Sequence, residues 1–261
     1  MAALETYWWI DHPNFGDALN PVLLERLFGV QPVWTDLHRA AMICVGSILQ
    51  DVARVLRTGG NTVRAKHVWG SGYILDNEPP IDTGRITYHA VRGEQTKAYS
   101  NICQDIPLGD PVVLSSFLLD APVPKKFAVG IVPHYGHRRR PDVLLVEHQP
   151  QVTIIDVTAD PIDIVAQIAA CEFVYSSSLH GLVVADSLGV PNQWIEFSSP
   201  LHGAGFKFAD YYSSFGMTAP APLRFDASCV TTVIVDQLGS AYSPRPGLER
   251  MQKTLEQSFP F

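Results

Sequence analysis

The sequence predicts an α/β protein made of two doubly wound, Rossmann-like domains that face each other across a cleft. Short apolar runs alternate with helical patterns along the 261 residues, and this alternation is typical of βαβ units with mostly parallel sheets. Residues 120–126 interrupt it with two prolines and two lysines, as a linker between domains would. We therefore expect a domain over 1–120, a second over 127–245 and a terminal segment over 246–261.

Eight short apolar runs predict the strands. Most of them are followed by glycine, proline or small polar residues, which end a strand and open a turn. The predicted strands, in chain order, are 6–10, 41–45, 66–69, 86–90, 127–132, 152–156, 172–175 and 193–197.

The segments between the strands carry helical patterns. Asn20 and Pro21 form a cap and first-turn pair that predicts the start of the first helix. The last segment is amphipathic, with Leu248, Met251 and Leu255 on one face, and suits a helix that packs back on the first domain. The predicted helices are 21–27, 48–56, 93–100, 111–118, 142–147, 161–170, 180–188 and 246–258.

The composition is that of an ordered globular protein and limits its partners. Hydrophobic residues make up 46% and charged residues 17% of the chain. No stretch approaches the roughly 20 apolar residues that span a bilayer. The formal net charge of −7 argues against a general nucleic-acid binder, which needs a basic surface. An anionic small molecule would need only a local basic cluster.

The N-terminus and the cysteines favour a cytoplasmic protein with reduced thiols. Because Glu5 precedes the first basic residue, Arg26, the apolar stretch 7–10 is expected to be a strand and not a signal peptide. The four cysteines are widely scattered and form no CxxC pair, which fits buried thiols. No HExxH motif or carboxylate cluster accompanies His134 and His137, so no metal site is expected.

The most informative segment is 172–191, which predicts a strand, a turn, a helix and a stop. An apolar run leads into the three serines 176–178, which are good N-caps, and Gly189 with Pro191 ends the helix. His180 falls in the first helical turn. A helix start at the end of a parallel strand offers N–H groups and a positive dipole end to an anion. The pattern indicates chemistry on a phosphorylated compound; a capped helix with a packed histidine is the alternative.

Two turns in the first half have residues suited to ligand contact. Asn14 and Asp17 follow the first predicted strand and would face the cleft. The third predicted strand ends in Gly70, Ser71 and Gly72, and this small-residue turn lets the backbone approach a ligand closely.

Cationic candidates follow other predicted strands. Arg92 stands at the end of the fourth strand, and its guanidinium has the fork geometry that carboxylate and phosphate groups prefer. A solvated surface arginine is the alternative. His134 follows the fifth strand, and Lys207 lies with Asp210 in a later loop.

These turns, in order and spacing, resemble those of the polysaccharide pyruvyltransferases, and the resemblance covers nearly the whole chain. The short length is similar to that of the bacterial exopolysaccharide ketal-pyruvate transferases. The resemblance is carried by Asn14-Phe-Gly-Asp17, Gly46-Ser47-Ile48-Leu49, 70–72, Val91-Arg92, Asp110-Pro111, His134, Ser178-Leu-His180-Gly181, Gly189-Val-Pro191 and Lys207-Phe-Ala-Asp210-Tyr211.

The resemblance implies a fold similar to the glycosyltransferase B type, phosphoenolpyruvate as donor, and a sugar of a polysaccharide or its precursor as acceptor. Phosphoenolpyruvate is a co-substrate, so no cofactor is expected. The chain departs from the family pattern at Ser178, because many members carry arginine immediately before the Leu-His pair. We expect Arg92 and Lys207 to supply the donor contact instead.

The chemistry of ketal formation assigns roles to these residues. Phosphoenolpyruvate must gain a proton on its methylene carbon and two sugar hydroxyls on its central carbon, and its phosphate must leave. The donor's charges need cations, which Arg92 and Lys207 would supply, with His134 if protonated. His180 is the acid/base candidate because imidazole exchanges protons near neutrality. Asp17, or Asp186 further along the helix, could orient it or contact sugar hydroxyls, whereas Asp110 is equally suited to a structural cap.

The basic run Arg138, Arg139 and Arg140 is a candidate membrane contact. A lipid-linked oligosaccharide acceptor at the inner face of the cytoplasmic membrane would need a cationic landing site; a solvated loop is the alternative.

Two other functions of the protein stay open. One is a nucleotide-sugar glycosyltransferase that holds its diphosphate at 176–181. The other is a non-catalytic envelope protein that binds carbohydrate on its tryptophans.

Overall fold

The computed structural model describes residues 3–59, 63–75, 84–197 and 204–261. Two five-stranded parallel sheets confirm the α/β prediction. The first sheet contains β1 (Ala3–Tyr7), β2 (Gln31–Trp34), β3 (Met42–Ile43), β4 (Lys66–Trp69) and β5 (Ile86–Ala90), and the second contains β6 (Phe127–Val132), β7 (Val152–Ile154), β8 (Cys171–Ser176), β9 (Asn192–Glu196) and β10 (Leu223–Arg224).

Helices lie between the strands in the described part of the chain. The α-helices are α1 (Phe15–Phe28), α2 (Leu49–Thr58), α3 (Glu94–Tyr99), α4 (Pro141–Leu144), α5 (Pro161–Ala169), α6 (Leu179–Ser187), α7 (Ala204–Ser213), α8 (Thr232–Ala241) and α9 (Leu248–Ser258). Three segments are 3₁₀-helical: Pro111–Leu118, Tyr135–His137 and Ala227–Val230. None of the described helices is long and apolar enough to cross a bilayer.

Both sheets have the same strand order. The first reads β2-β1-β3-β4-β5 and the second, from its other edge, reads β7-β6-β8-β9-β10. Each is the doubly wound order 2-1-3-4-5, in which ligands bind at the carboxyl ends of the two strands where the winding direction reverses. These switch points lie between β1 and β3 in the first sheet and between β6 and β8 in the second.

The first strand and the first helix both begin earlier than the sequence predicts. Strand β1 covers Ala3–Tyr7 because Ala3 to Thr6 pair with β2, an edge strand that the sequence analysis missed. Helix α1 begins at Phe15, so Pro21 lies inside it and not at its first position. Asn14 is the true N-cap, since its side chain accepts a bond from Gly16 N.

A side-chain hydrogen bond replaces the backbone hydrogen bond that Pro21 cannot make inside α1. Proline cannot donate to the carbonyl four residues earlier, which here belongs to Asp17. Asn20 Nδ2 donates to that Asp17 oxygen at 2.9 Å, and Asn20 Oδ1 accepts from Val45 N at 2.9 Å. The buried Asn20 therefore joins α1 to the end of β3 instead of capping a helix.

Other departures lie in the second half. The segment with Lys207, expected to be a loop, is helix α7, and helix α8 and the two-residue strand β10 are also absent from the elements predicted above. Cys44, Cys171 and Cys229 are buried as expected, whereas Cys103 is exposed.

One hydrophobic core continues from the first sheet into the second. It joins residues such as Phe15 and Trp69 to Ile164 and Leu182, and Phe15 N donates to Val157 O at 2.9 Å. The 3₁₀-helix Pro111–Leu118 contacts both α1 and α6. The two halves are therefore packed against each other around the cleft.

Helix α9 lies against the first half. Its residues Met251 and Leu255 are buried. Trp69 Nε1 donates to Leu255 O at 3.0 Å, and Gln252 Nε2 donates to Val113 O at 2.7 Å. The end of the chain thus returns to the half that contains its beginning.

Candidate active site

A cavity of about 400 Å³ lies between the two sheets. Its walls are built by residues that follow β1 and β3 on one side and β6 and β8 on the other, so it occupies both switch points. Of the site residues expected from the sequence, the cavity lining contains Asn14, Asp17, His134, Ser178, His180 and Lys207.

The start of α6 forms one wall of the cavity. Ser178 is the N-cap residue, but its side chain makes no capping bond. Ser176 holds the turn, because its Oγ accepts from Ser178 N at 3.0 Å and lies 3.0 Å from Val132 O. The first N–H groups of an α-helix have no intrahelical partner, so the first turn of α6 can bind an anion in the cavity.

His180 comes from the second half but is surrounded by residues of the first. A Cβ atom added to Gly16 would lie 1.7 Å from His180 Nδ1, so only glycine leaves room for the ring. On the other side of the ring, Nε2 lies 3.6 Å from Asp110 Oδ2. Gly16 belongs to the Asn14-Phe-Gly-Asp17 segment already noted in the sequence. The local pattern does not reveal its contact with His180, because the backbone of Gly16 is ordinary helix and the contact is tertiary.

Asp17 is a buried carboxyl group close to His180. Its Oδ2 accepts a bond from Asn14 Nδ2 at 2.7 Å. Burial raises the pKa of Asp17, while the neighbouring His180, the hydrogen bond from Asn14 and the charge of Lys207 act in the opposite direction. A carboxyl with a raised pKa can take and return a proton more readily than an ordinary aspartate.

Lys207 brings the ammonium group of α7 to the cavity. Burial, together with the nearby charge of Arg92, lowers the pKa of Lys207 to about 8, although Asp17 partly offsets the effect. This lysine is therefore charged at neutral pH but loses its proton under mildly alkaline conditions.

His134 is neutral, which corrects the expectation that it could contribute positive charge. Burial, Lys207, His137 and His180 lower the pKa of His134 to about 3. Its Nδ1 accepts a bond from Gly136 N at 3.1 Å, so the proton of the neutral ring resides on Nε2. His134 can thus donate one hydrogen bond but cannot act as a counter-ion.

Arg92 lies beneath the cavity and outside its lining. The buried guanidinium donates from Nε to Asp210 Oδ2 at 2.8 Å, from Nη1 to Ser47 Oγ at 2.8 Å, and from Nη2 to the carbonyl of Tyr73. Asp210 also accepts from Thr96. We therefore revise the expected role of Arg92 from direct donor contact to support of Ser47, which does line the cavity, and of α7.

The glycine-rich turn after β4 is likewise structural in this conformation. A Cβ atom at Gly72 would lie 2.5 Å from Arg92 Cζ, and one at Gly70 would lie 2.2 Å from the ring of Pro111. Ser71 Oγ donates to Gly46 O at 2.8 Å. Gly70, Ser71 and Gly72 let protein groups approach one another, and none of them lines the cavity.

Asp186 does not orient His180, in contrast to one expectation from the sequence. Its carboxylate accepts bonds from Asn192 Nδ2 at 2.7 Å, Tyr211 OH at 2.9 Å, Tyr242 OH at 3.0 Å and Arg245 Nε at 2.9 Å. This buried network joins α6 and α7 to the segment that leads into α9.

The arginines proposed for membrane contact are partly neutralised by neighbouring carboxylates. Arg138 pairs with Asp156, and Arg140 pairs with Asp142 at 2.9 Å. Arg139 is exposed. The charge that this run can offer to a surface is therefore smaller than its sequence suggests.

Further lining residues to which the sequence pattern assigned no role in the site include Gln50, Asp51, Arg54 and Tyr135. Tyr135 packs on the His134 ring, with 4.0 Å between centroids, and approaches the His12 ring across the cleft at 5.3 Å. Gln50 accepts bonds from Ile74 N and Leu75 N. Within the described ranges, no group of three His, Cys, Asp or Glu side chains is placed to hold a metal ion.

Comparison with known proteins gives the family. The sequence model of the family described as "Polysaccharide pyruvyl transferase" matches residues 83–199. A protein of Acanthamoeba polyphaga mimivirus, "Uncharacterized protein L143", is 31% identical over 81% of this chain and 74% of its own length. "Succinoglycan biosynthesis protein ExoV" of Rhizobium meliloti (strain 1021) is 26% identical over 81% of this chain and 65% of its own length. The chain belongs to the polysaccharide pyruvyl transferase family.

Proposed function

We propose that this protein transfers the pyruvyl group of phosphoenolpyruvate to two hydroxyls of a polysaccharide sugar, forming a pyruvate ketal and releasing phosphate. The observation that carries the proposal is the convergence of Lys207, His180 and the start of α6 on one cavity. Membership of the pyruvyl transferase family and the relative named for succinoglycan biosynthesis support it.

The donor anion would bind between α6 and Lys207. The free N–H groups of the first turn of α6 suit a phosphate, and the Lys207 ammonium supplies a full positive charge. His134 adds a neutral donor from Nε2. Ser47 Oγ already accepts from Arg92, so its own hydroxyl proton is available to a donor oxygen. Together these groups would supply the donor contact for which many family members have an arginine at the position of Ser178.

His180 would move the protons of the reaction. Addition of the first sugar hydroxyl forms a C–O bond at the central carbon while the methylene carbon gains a proton. Phosphate then leaves with the electrons of its C–O bond, and the second hydroxyl adds to the resulting oxocarbenium ion. Of the two hydroxyl protons, one ends on the new methyl group and the other on phosphate. His180 gives and takes a proton on this path, and Asp17 is the second group able to accept one.

The acceptor would occupy the part of the cavity beside Asn14 and Asp17, whose side chains suit sugar hydroxyls. Trp9 lines the same cavity and offers an aromatic face with a polar N–H. We propose a polysaccharide or its lipid-linked precursor as acceptor, met on the cytoplasmic side of the membrane. No resident cofactor is needed for this chemistry.

Phosphate release and mass spectrometry test the proposal together. The protein is incubated with phosphoenolpyruvate and terminal mannosides, glucosides and galactosides, and each product is weighed for an added pyruvyl group. We expect acceptor-dependent phosphate release and one pyruvylated sugar, both absent with His180→Gln. Nucleoside diphosphate sugars are the control donors. Thermal protection by these sugars, with no product from phosphoenolpyruvate, would assign the site to a glycosyltransferase instead.

A further inference from the structure

Asp110 and His180 direct two buried polar atoms at each other without completing a hydrogen bond. Asp110 Oδ2 and His180 Nε2 are 3.6 Å apart. Neither atom has a hydrogen-bond partner among the described residues, although both are buried. Unsatisfied buried polar atoms are costly and uncommon in native proteins. A carboxylate oxygen and an imidazole N–H are complementary, and a shift of less than one ångström would satisfy both.

The carboxyl group of Asp110 is held in place by its other oxygen. Oδ1 accepts from Val112 N at 3.0 Å and caps the 3₁₀-helix Pro111–Leu118. This bond fixes the plane of the carboxyl group and leaves Oδ2 facing the imidazole. Asp110 is therefore a helix cap, as the sequence suggests, and still has one carboxyl oxygen that can accept a hydrogen bond.

The opposite edge of the imidazole faces the first half of the chain. Nδ1 lies over the Gly16 backbone, and His180 lines the cavity with Asp17 and Lys207. If Nε2 carries the proton directed at Asp110, Nδ1 keeps its lone pair for a reacting group. When Nδ1 also takes a proton, the Asp110 carboxylate stabilises the imidazolium that forms.

We propose that Asp110 is the positioning residue for His180: Oδ2 accepts the Nε2 proton and leaves Nδ1 as the nitrogen that exchanges protons with substrate. The proposal rests on the proposed function for the identity of that substrate. Catalytic hydrogen bonds are often long in unliganded enzymes and shorten when substrate binds, so the 3.6 Å gap is expected to close around the donor. The pairing follows the logic of aspartate–histidine pairs elsewhere, in which the carboxylate fixes the tautomer.

The test compares Asp110→Asn with a matched control, Asp160→Asn. Both aspartates precede a proline and cap a helix through one carboxyl oxygen. Asp160 caps α5, whereas the second carboxyl oxygen of Asp110 also lies 3.6 Å from His180 Nε2. Asparagine keeps the capping oxygen and removes the charge. We expect Asp110→Asn to lower kcat by about 100-fold or more with the KM for phosphoenolpyruvate nearly unchanged, since the same change in a catalytic triad costs about 10⁴-fold. Asp160→Asn should retain full activity.

Histidine ¹⁵N NMR supplies a readout that does not depend on activity. The His180 signals are identified by their loss in His180→Gln. In the wild-type protein we expect a protonated Nε2 and an unprotonated Nδ1, and in Asp110→Asn a change of tautomer. Unchanged His180 signals in Asp110→Asn would overturn the proposal, even if kcat fell, because the loss would then be structural. If the wild-type protein released no phosphate from phosphoenolpyruvate, the proposed function would fail while the spectra still decided the pairing.

Discussion

Gly16 and His180 are in contact across the cleft: the imidazole of the second half lies on the α1 backbone of the first, in the space where a side chain at position 16 would be. The His180 side chain is therefore positioned by steric contact as well as by electrostatic interaction. A methyl group at position 16 would displace the ring, because the backbone of a helix is far less free to move than a side chain.

We predict that Gly16→Ala leaves the protein folded but lowers kcat by about 100-fold, since an ångström-scale misplacement of a catalytic group has effects of that size. Alanine is the better helix former by about 1 kcal/mol, so stability should not fall by the usual cost of a clash. Gly205→Ala is the matched control, because Gly205 is also the second residue of its helix and a Cβ atom there would meet no atom of the described residues within 4 Å. Equal kcat values for the two variants would show that the His180 ring position does not matter.

We predict that the KM for phosphoenolpyruvate rises above about pH 8, because the charged form of Lys207 is lost there. The increase should approach tenfold per pH unit for a single required proton. Lys207→Arg should flatten this rise, since arginine stays charged throughout the range. Steady-state kinetics between pH 7 and 9.5 measure both profiles. Identical slopes in the two proteins would remove Lys207 from the donor site.

The same pKa also fixes the sign of the pH dependence of stability. An unfolded lysine holds its proton up to its ordinary pKa of 10.5, whereas folded Lys207 releases it near pH 8. Between these values the unfolded state binds more protons, so the contribution of Lys207 to the free energy of unfolding rises with pH. Its burial penalty is fully present below pH 8.

We predict that Arg92→Lys lowers the free energy of unfolding by about 1–3 kcal/mol, because a lysine cannot satisfy Asp210, Ser47 and the Tyr73 carbonyl together. Urea unfolding measures the loss. The control is Arg39→Lys in the exposed pair with Glu5, where a change within about 1 kcal/mol is expected. Comparable stability of the two variants would mean that the buried guanidinium is replaceable. Donor affinity should also fall, through Ser47.

We predict that Arg139 contributes most of any membrane attraction in the basic run. It has no ion-pair partner among the described residues, whereas Arg138 and Arg140 do. One arginine near an anionic surface is worth about 1 kcal/mol, so Arg139→Gln should weaken binding to phosphatidylserine vesicles about fivefold. Arg138→Gln should have a smaller effect. Absence of vesicle binding by the wild-type protein at low salt would dismiss a membrane role for this run.

Part of the site could be predicted from the sequence, because the carboxyl ends of parallel strands lie at the same edge of a sheet. Asn14, His134 and His180 follow strands beside a switch point, and all three line the cavity. Arg92 carries the same signal, a polar residue after a strand, but β5 is the outermost strand of its sheet. The order of strands in a sheet cannot be read from a local sequence pattern. The pattern therefore could not distinguish Arg92 from the residues that follow strands beside a switch point.

Asp110 shows a second reason why the site was incompletely predicted. The pairs Asp110-Pro111 and Asp160-Pro161 have the same sequence pattern, and both cap a helix. Only the packing of α6 on the 3₁₀-helix brings one of them to a histidine. Helix α7 was missed for a different reason: Gly205 and its aromatic residues have low helix propensity, and tertiary packing of Phe208 and Tyr211 stabilises the helix instead.

The return of helix α9 to the first half means that the chain crosses between the halves twice. The first crossing is the 120–126 segment. The second leaves Arg245, which is fixed to Asp186 in the second half, and reaches Leu255, which accepts from Trp69 in the first. A second covalent connection reduces the entropy that the two halves lose when they pack together. It therefore favours the shared hydrophobic core and the contacts that the site makes across the cleft, such as that of Gly16 with His180.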